Sequence, residues 1–290
     1  MTRTPTSDFP VLIRKFAKLI DFASRIPMTN ERAWKNSGQL LLIKAFRHLE
    51  SIGTLFNGIE TELNGKKLPV YIDHSSISVL ARAAYETYVI FYFIFCDGTA
   101  AEQQLRYQVW RMNGLMSRQK LHGPLTGEAG FGAQKVAERF EIDRLRALIT
   151  DHPSFRSLKA HVRDNVKKGT DVRLGEPLLD LAERAGLPRK YAADMYNHLC
   201  NYTHSGAIST FQIHDATAEQ NADARLAGAT VSFCTILLVE LVFAYTTFFE
   251  EVDEYAVGDD ELWEIADEWA LLKMELAKLY DALPDGCGGA

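Results

Sequence analysis

The sequence predicts an all-α protein, a single helical-bundle domain organised around two buried apolar helices. Three observations carry that prediction. Apolar residues recur at helical spacing through most of the 290 residues, and no run alternates with the period of two that a half-buried strand requires. Proline, glycine and small polar residues fall where helices begin and end. Finally, the two longest apolar segments, residues 77–96 and 226–249, each hold charge in their interior: Arg82 and Glu86 in the first, Glu240 in the second. A buried ion without a partner is strongly unfavourable, so these charges predict a polar centre inside a helical core.

The elements follow in chain order. Val11, Leu12, Phe16, Leu19, Ile20 and Phe22 keep a period near 3.6 across residues 9–25. The Ile26-Pro27 step ends that helix, because a residue before proline avoids the α region. Thr29 or Asn30 is placed to cap a second helix over residues 31–63, with a break expected at Asn57-Gly58 and an end at Asn64-Gly65. Asp73 or Ser75 caps the first apolar helix, and Asp97-Gly98 stops it. Residues 101–121 read as an exposed amphipathic helix bearing Arg106, Trp110, Arg111 and Arg118. A glycine-rich loop over 122–132 lacks the Lys-Ser/Thr of a P-loop.

Helices over 133–150 and 153–167 and a polar connection over 168–176 come next. Proline at both starts and glycine between them make 177–186 and 188–204 a plain helical hairpin. It superficially resembles a DNA-reading helix-turn-helix, but its second helix is rich in apolar residues. The second apolar helix and an amphipathic helix over 260–283 complete a domain of residues 1–283. Residues 100–175 read as a peripheral helical subregion, and 284–290 as a disordered tail.

Composition narrows the function classes. The formal net charge of −6 gives no overall drive toward nucleic acid, leaving only local basic clusters such as residues 156–173. Cys96, Cys200, Cys234 and Cys287 form no CxxC pair, which removes zinc-ribbon and thioredoxin readings. Their use suits a reducing cytoplasm, and the opening MTRTPTSDFPVLIRKF lacks the uninterrupted apolar core of a signal peptide. Residues 226–249 are long enough to span a bilayer. The acidic residues that follow, Glu250, Glu251, Asp253 and Glu254, favour a core helix instead.

Two groups of side chains could carry chemistry. Arg82 and Glu86 share one helix face, in the weaker order for an intrahelical pair, so each is expected to have a further partner such as Glu240 or a histidine. Tyr196, Cys200 and His204 recur every four residues and stack along one face of their helix. A thiol one turn from an imidazole suits a nucleophile or, with a carboxylate, a metal site. No HExxH, HxH or DxD signature supports a metal, and no cofactor is implied. The expected polar centre is therefore Arg82, Glu86, Tyr196, Cys200, His204 and Glu240. A small-molecule ligand and a homo-oligomer are the partners compatible with it.

Arg-x-x-x-Glu within an aromatic apolar helix, followed much later by Tyr-x-x-x-Cys-x-x-x-His-Ser-Gly, resembles an uncharacterised family of bacterial helical proteins. Members often have Ser where Cys200 stands. The resemblance covers roughly residues 70–250 and implies an all-helical fold with Arg82, Glu86, Tyr196 and His204 around one centre. It supplies no activity. A weaker resemblance is to HEPN-type helical ribonucleases of toxin and defence systems, whose motif is Arg, four to six residues, then His. Arg156 with His161 and Arg146 with His152 fit that spacing, as chance alone would allow. That resemblance implies metal-independent RNA cleavage, with His as acid and base and Arg as a phosphate clamp. Only this reading makes nucleic acid a partner.

Overall fold

A computed structural model describes residues 4–27, 29, 32–68, 70–121, 131–218 and 222–284. The expected loop over 122–132 falls almost wholly outside them, as do all but the first residue of the expected tail and Cys287. Among the described residues the protein is all-α, with thirteen helices and one two-stranded hairpin.

The chain forms two compact units. The first comprises residues 1–92 and 182–290. It opens with α1 (Pro5–Ser24), which begins earlier than its apolar period because Thr4 and Ser7 form a reciprocal capping box. Helix α2 (Ala33–Phe56) ends at the expected Asn57-Gly58 step. Beyond it Asn64 (φ 53°) and Gly65 (φ 75°) do not end a helix; they turn an exposed hairpin, β1 (Glu62–Leu63) with β2 (Lys66–Lys67). The apolar helix α3 (His74–Phe95) is capped by Asp73, whose Oδ1 accepts from Ser76 N at 2.9 Å.

Helix α11 (Ala222–Phe248) is buried on nearly every side, as a helix apolar all round must be. Within the unit it packs against α1, α2, α12 (Glu250–Ala256), α13 (Asp260–Ala282) and α10 (Ala207–Ala218). Gly38 of α2 lets the Phe248 ring approach: a Cβ there would lie 2.7 Å from it. Helices α3 and α11 meet through aromatic rings, Tyr85 with Phe233 at 5.8 Å and Phe91 with Phe248 at 5.4 Å. Both helices are long and apolar enough to cross a membrane, yet 61% and 72% of their most apolar stretches are buried within the protein. Burial against protein is the arrangement of core helices.

Residues 93–181 form the second unit, with a core of its own. Leu105, Val109 and Met112 of α4 (Ala100–Gln119) pack with Ile142, Leu145 and Ile149 of α5 (Phe131–Asp151) and with Phe155, Val162 and Val166. The helix expected over 153–167 is two, α6 (Pro153–Arg156) and α7 (Ala160–Lys168). Arg163 Nη1 donates to the carbonyls of Arg156 and Leu158 at 2.7 and 2.9 Å, which holds the break open.

Candidate functional site

The site is built where α3 meets the second helix of the 177–204 hairpin, α9 (Arg189–Thr203), which follows α8 (Leu178–Arg184). Tyr88 Oη donates to Ala185 O at 2.5 Å and ties α3 to the turn between α8 and α9. That turn uses Gly186 at φ 88°. With the turn fixed, α9 lays its Tyr196–Cys200–His204 row beside Arg82 and Glu86.

Arg82 is the hub. Its Nε donates to Glu86 Oε1 at 2.9 Å, its Nη2 to Tyr196 Oη at 3.4 Å, and its Nη1 lies 2.8 Å from His204 Nε2. The guanidinium also stands over the Tyr196 ring, 5.3 Å from its centroid. Tyr196 Oη donates to Glu86 Oε1 at 3.3 Å. An arginine has no acceptor, so His204 Nε2 must accept, and the ring proton then sits on Nδ1. Burial pulls the Arg82 guanidinium down; Glu86, Cys200 and Tyr196 more than restore it, and it stays charged. Burial raises the Tyr196 phenol, with Glu86 and Cys200 adding to the rise and Arg82 opposing it. Cys200, half-buried, lies one turn from both Tyr196 and His204.

The local fold that presents His204 is a Schellman motif. His204 is the C-cap of α9, Gly206 N donates to Asn201 O at 2.7 Å and Ser205 N to Tyr202 O at 3.4 Å. The left-handed position, where glycine is usual, is Ser205 at φ 53°. Behind the cluster Tyr85 is fully buried, and its hydroxyl has no hydrogen-bond partner among the described residues. Burial, and then Tyr196 and Glu86, push that phenol up, so it stays protonated.

Two expectations need correction. Glu240 does not join the cluster. It is paired with Lys273 of α13, 2.5 Å from its Nζ, and packs beneath Gly186, where a Cβ would lie 2.3 Å from its Oε2. A charge in the middle of α11 is answered by the neighbour that reaches it, and that neighbour is α13. Nor is the cluster a closed buried centre. The Arg82 side chain is 16% exposed, that of Glu86 is 41% exposed, and His204 is exposed.

A second polar group lies on the same row of α3. His74, two turns before Arg82, is 4% exposed. Its Nδ1 meets Asp223 Oδ1 at 2.8 Å, and its buried Nε2 has no partner among the described residues. Tyr202 stands edge-on to the rings of both His74 and His198, at 5.5 and 5.2 Å. The four-residue spacing His74–Ser78–Arg82 is the signal that could have flagged it.

The Arg–His spacings that match the HEPN motif do not form sites of this kind. Arg156 pairs with Asp151 and Arg146 with Asp143, while His152 Nδ1 accepts from Ser154 N as the cap of α6. Among the described residues no three His, Cys, Asp or Glu side chains gather as a metal would need.

Comparison with known proteins gives a family and no activity. No curated protein and no solved structure matches the chain. Residues 39–222 match the family of unknown function DUF5677, a stretch that includes Arg82, Glu86, Tyr196, Cys200 and His204 and stops short of Glu240. That match covers more than half the chain, and the protein belongs to the DUF5677 family.

Proposed function

We propose that this protein binds a small anionic ligand through Arg82, Tyr196 and His204, in a regulatory rather than catalytic role. The observation that carries the reading is the 2.8 Å contact between Arg82 Nη1 and His204 Nε2 beside open solvent. Of the five N–H donors of a guanidinium, one is given to Glu86, one to Tyr196 and one to His204. One hydrogen remains on each terminal nitrogen, and His204 Nδ1–H adds a third donor. Donors of this kind suit the oxygens of a phosphate or carboxylate. Glu86 holds the guanidinium through Nε, so the fork is oriented before a ligand arrives.

The test is thermal unfolding of the full chain with inorganic phosphate, adenosine monophosphate and citrate, for wild type, His204→Ala and Arg82→Lys. A ligand at a hundred times its Kd should add about 2.7 kcal/mol to wild type. Both variants should lose tenfold or more in affinity, since lysine offers a point charge in place of a fork. No shift with any anion, or shifts equal in all three proteins, would refute the reading.

The exposure of His204 also favours a second reading, metal-independent RNA cleavage with His204 as acid and base and Arg82 as clamp. Cleavage of a short RNA in EDTA by wild type, abolished by His204→Ala, would replace the first reading with this one.

A further inference from the structure

The charges of the chain are unevenly placed. Lys and Arg number 14 against 11 Asp and Glu in residues 93–181, and 18 against 27 elsewhere. Within residues 93–181 many arginines are neutralised: Arg111 and Arg144 by Glu141, Arg118 by Glu138, Arg146 by Asp143, Arg156 by Asp151. The cations of α7 and its cap are not. Lys159, Arg163, Lys167 and Lys168 have no carboxylate partner among the described residues, and Asp164 is the helix's one acid.

Helix stability explains only part of this. Lys167 and Lys168 suit the C-terminal end of a helix dipole. Lys159 is the N-cap, makes no capping hydrogen bond, and stands where an anion would be favoured. Lys159, Arg163 and Lys167 form one row along the helix, each about 6 Å from the next along the axis at ~1.5 Å per residue; the two lysines are exposed, and half-exposed Arg163, whose Nη1 is held by the carbonyls of Arg156 and Leu158, has only Nε and Nη2 to offer a phosphate. That step is close to two phosphates of a stacked strand at ~3.4 Å each.

We propose that the exposed side of α7 is a nucleic-acid-binding face that takes the sugar-phosphate backbone without selecting bases. A membrane surface is the poorer partner. A helix that lies on lipid points apolar residues outward, whereas Val162 and Val166 are buried in the core of their own unit. This inference is independent of the anion reading at Arg82.

The test is fluorescence anisotropy of the full chain with a labelled single-stranded RNA and a DNA duplex of equal length. Three phosphate contacts predict affinity falling by roughly 20- to 40-fold between 50 and 200 mM salt. Lys159→Glu/Lys167→Glu/Lys168→Glu should weaken binding at 50 mM salt by tenfold or more. The corresponding triple Gln variant should fall between it and wild type, which keeps the test open if charge reversal impairs folding. Absence of binding to either nucleic acid at 50 mM salt would overturn the proposal. So would wild-type affinity in the Gln and Glu variants, or capture by phosphatidylserine vesicles without capture of RNA.

Discussion

Ser205 holds a left-handed backbone at φ 53° directly after His204, with glycine only at the next position. A β-carbon in that region costs about 1–2 kcal/mol, and glycine relieves it. Ser205→Gly should therefore raise stability by about 1 kcal/mol, read as a higher urea midpoint with an unchanged slope. A midpoint equal to or below wild type would mean that the Ser205 side chain makes up the difference. The residues of the cluster were legible because each sits at a fixed offset on a helix face: Arg82 with Glu86, and Tyr196 with Cys200 and His204. Their openness to solvent was not. An arginine in an apolar run looks buried in sequence, but its long stem can lie on the core while its head reaches the edge of the helix pair. The Glu240 partner was illegible for a different reason: Arg82, His204 and Lys273 are equally admissible on charge, and only the packing of α13 against α11 selects the last.

At the scale of elements, the α8–α9 turn is the joint on which the site depends, and Glu240 with Lys273 supports it from below. Burial raises the Glu240 carboxyl above its ordinary value despite the opposing effect of Lys273, so the pair is held at a cost in desolvation. Lys273→Ala leaves that carboxylate buried and unpaired and should cost about 3 kcal/mol, the lower end of what breaking a buried pair costs, because Lys273 keeps some solvent contact. Glu240→Gln removes the charge, keeps an acceptor for Lys273, and should stay within about 1 kcal/mol of wild type. In chemical denaturation the Glu240→Gln/Lys273→Ala double variant should lose less than Lys273→Ala alone. A double variant as unstable as the single one would deny the coupling. Gly186→Ala should be worse than an ordinary glycine substitution, because its β-carbon meets both a φ of 88° and the Glu240 carboxylate. Sequence punctuation marked this turn well, since glycine and proline there report backbone geometry. It missed α10 and α12, and the break between α6 and α7. Ile208, Phe211 and Ile213 of α10 are all exposed and give no clean apolar stripe. The break is set by Arg163 reaching back to two carbonyls, with no glycine or proline to announce it.

Across the whole molecule, acid should destabilise the fold in two separate steps. His48 and His198 are both lowered from the ordinary 6.5, chiefly by burial, with Lys44 adding to the first and His74 to the second. Each stays neutral in the folded chain at a pH where the unfolded chain would already take up a proton. Their contribution is therefore complete above about pH 6.5 and is lost as pH falls from there toward the lowered folded values. The second step begins near pH 4.5, the ordinary value of a glutamate. Hydrogen bonds first, from Thr99, Arg144 and Arg32 respectively, hold Glu102, Glu141 and Glu251 below it. Their stabilisation is present above 4.5 and disappears as pH falls through the lowered values, modestly for each because all three lie near solvent. Glu240 runs the other way, since its raised value means that protonation favours the folded chain. The melting temperature should thus decline from pH 7 to 5 before the carboxylates titrate. His198→Gln, which keeps a polar group of similar reach and cannot charge, should flatten that first decline and leave the second unchanged. A wild-type profile that is level between pH 7 and 5, or an equal first decline in the variant, would show that these half-buried imidazoles do not set the acid limit of the fold.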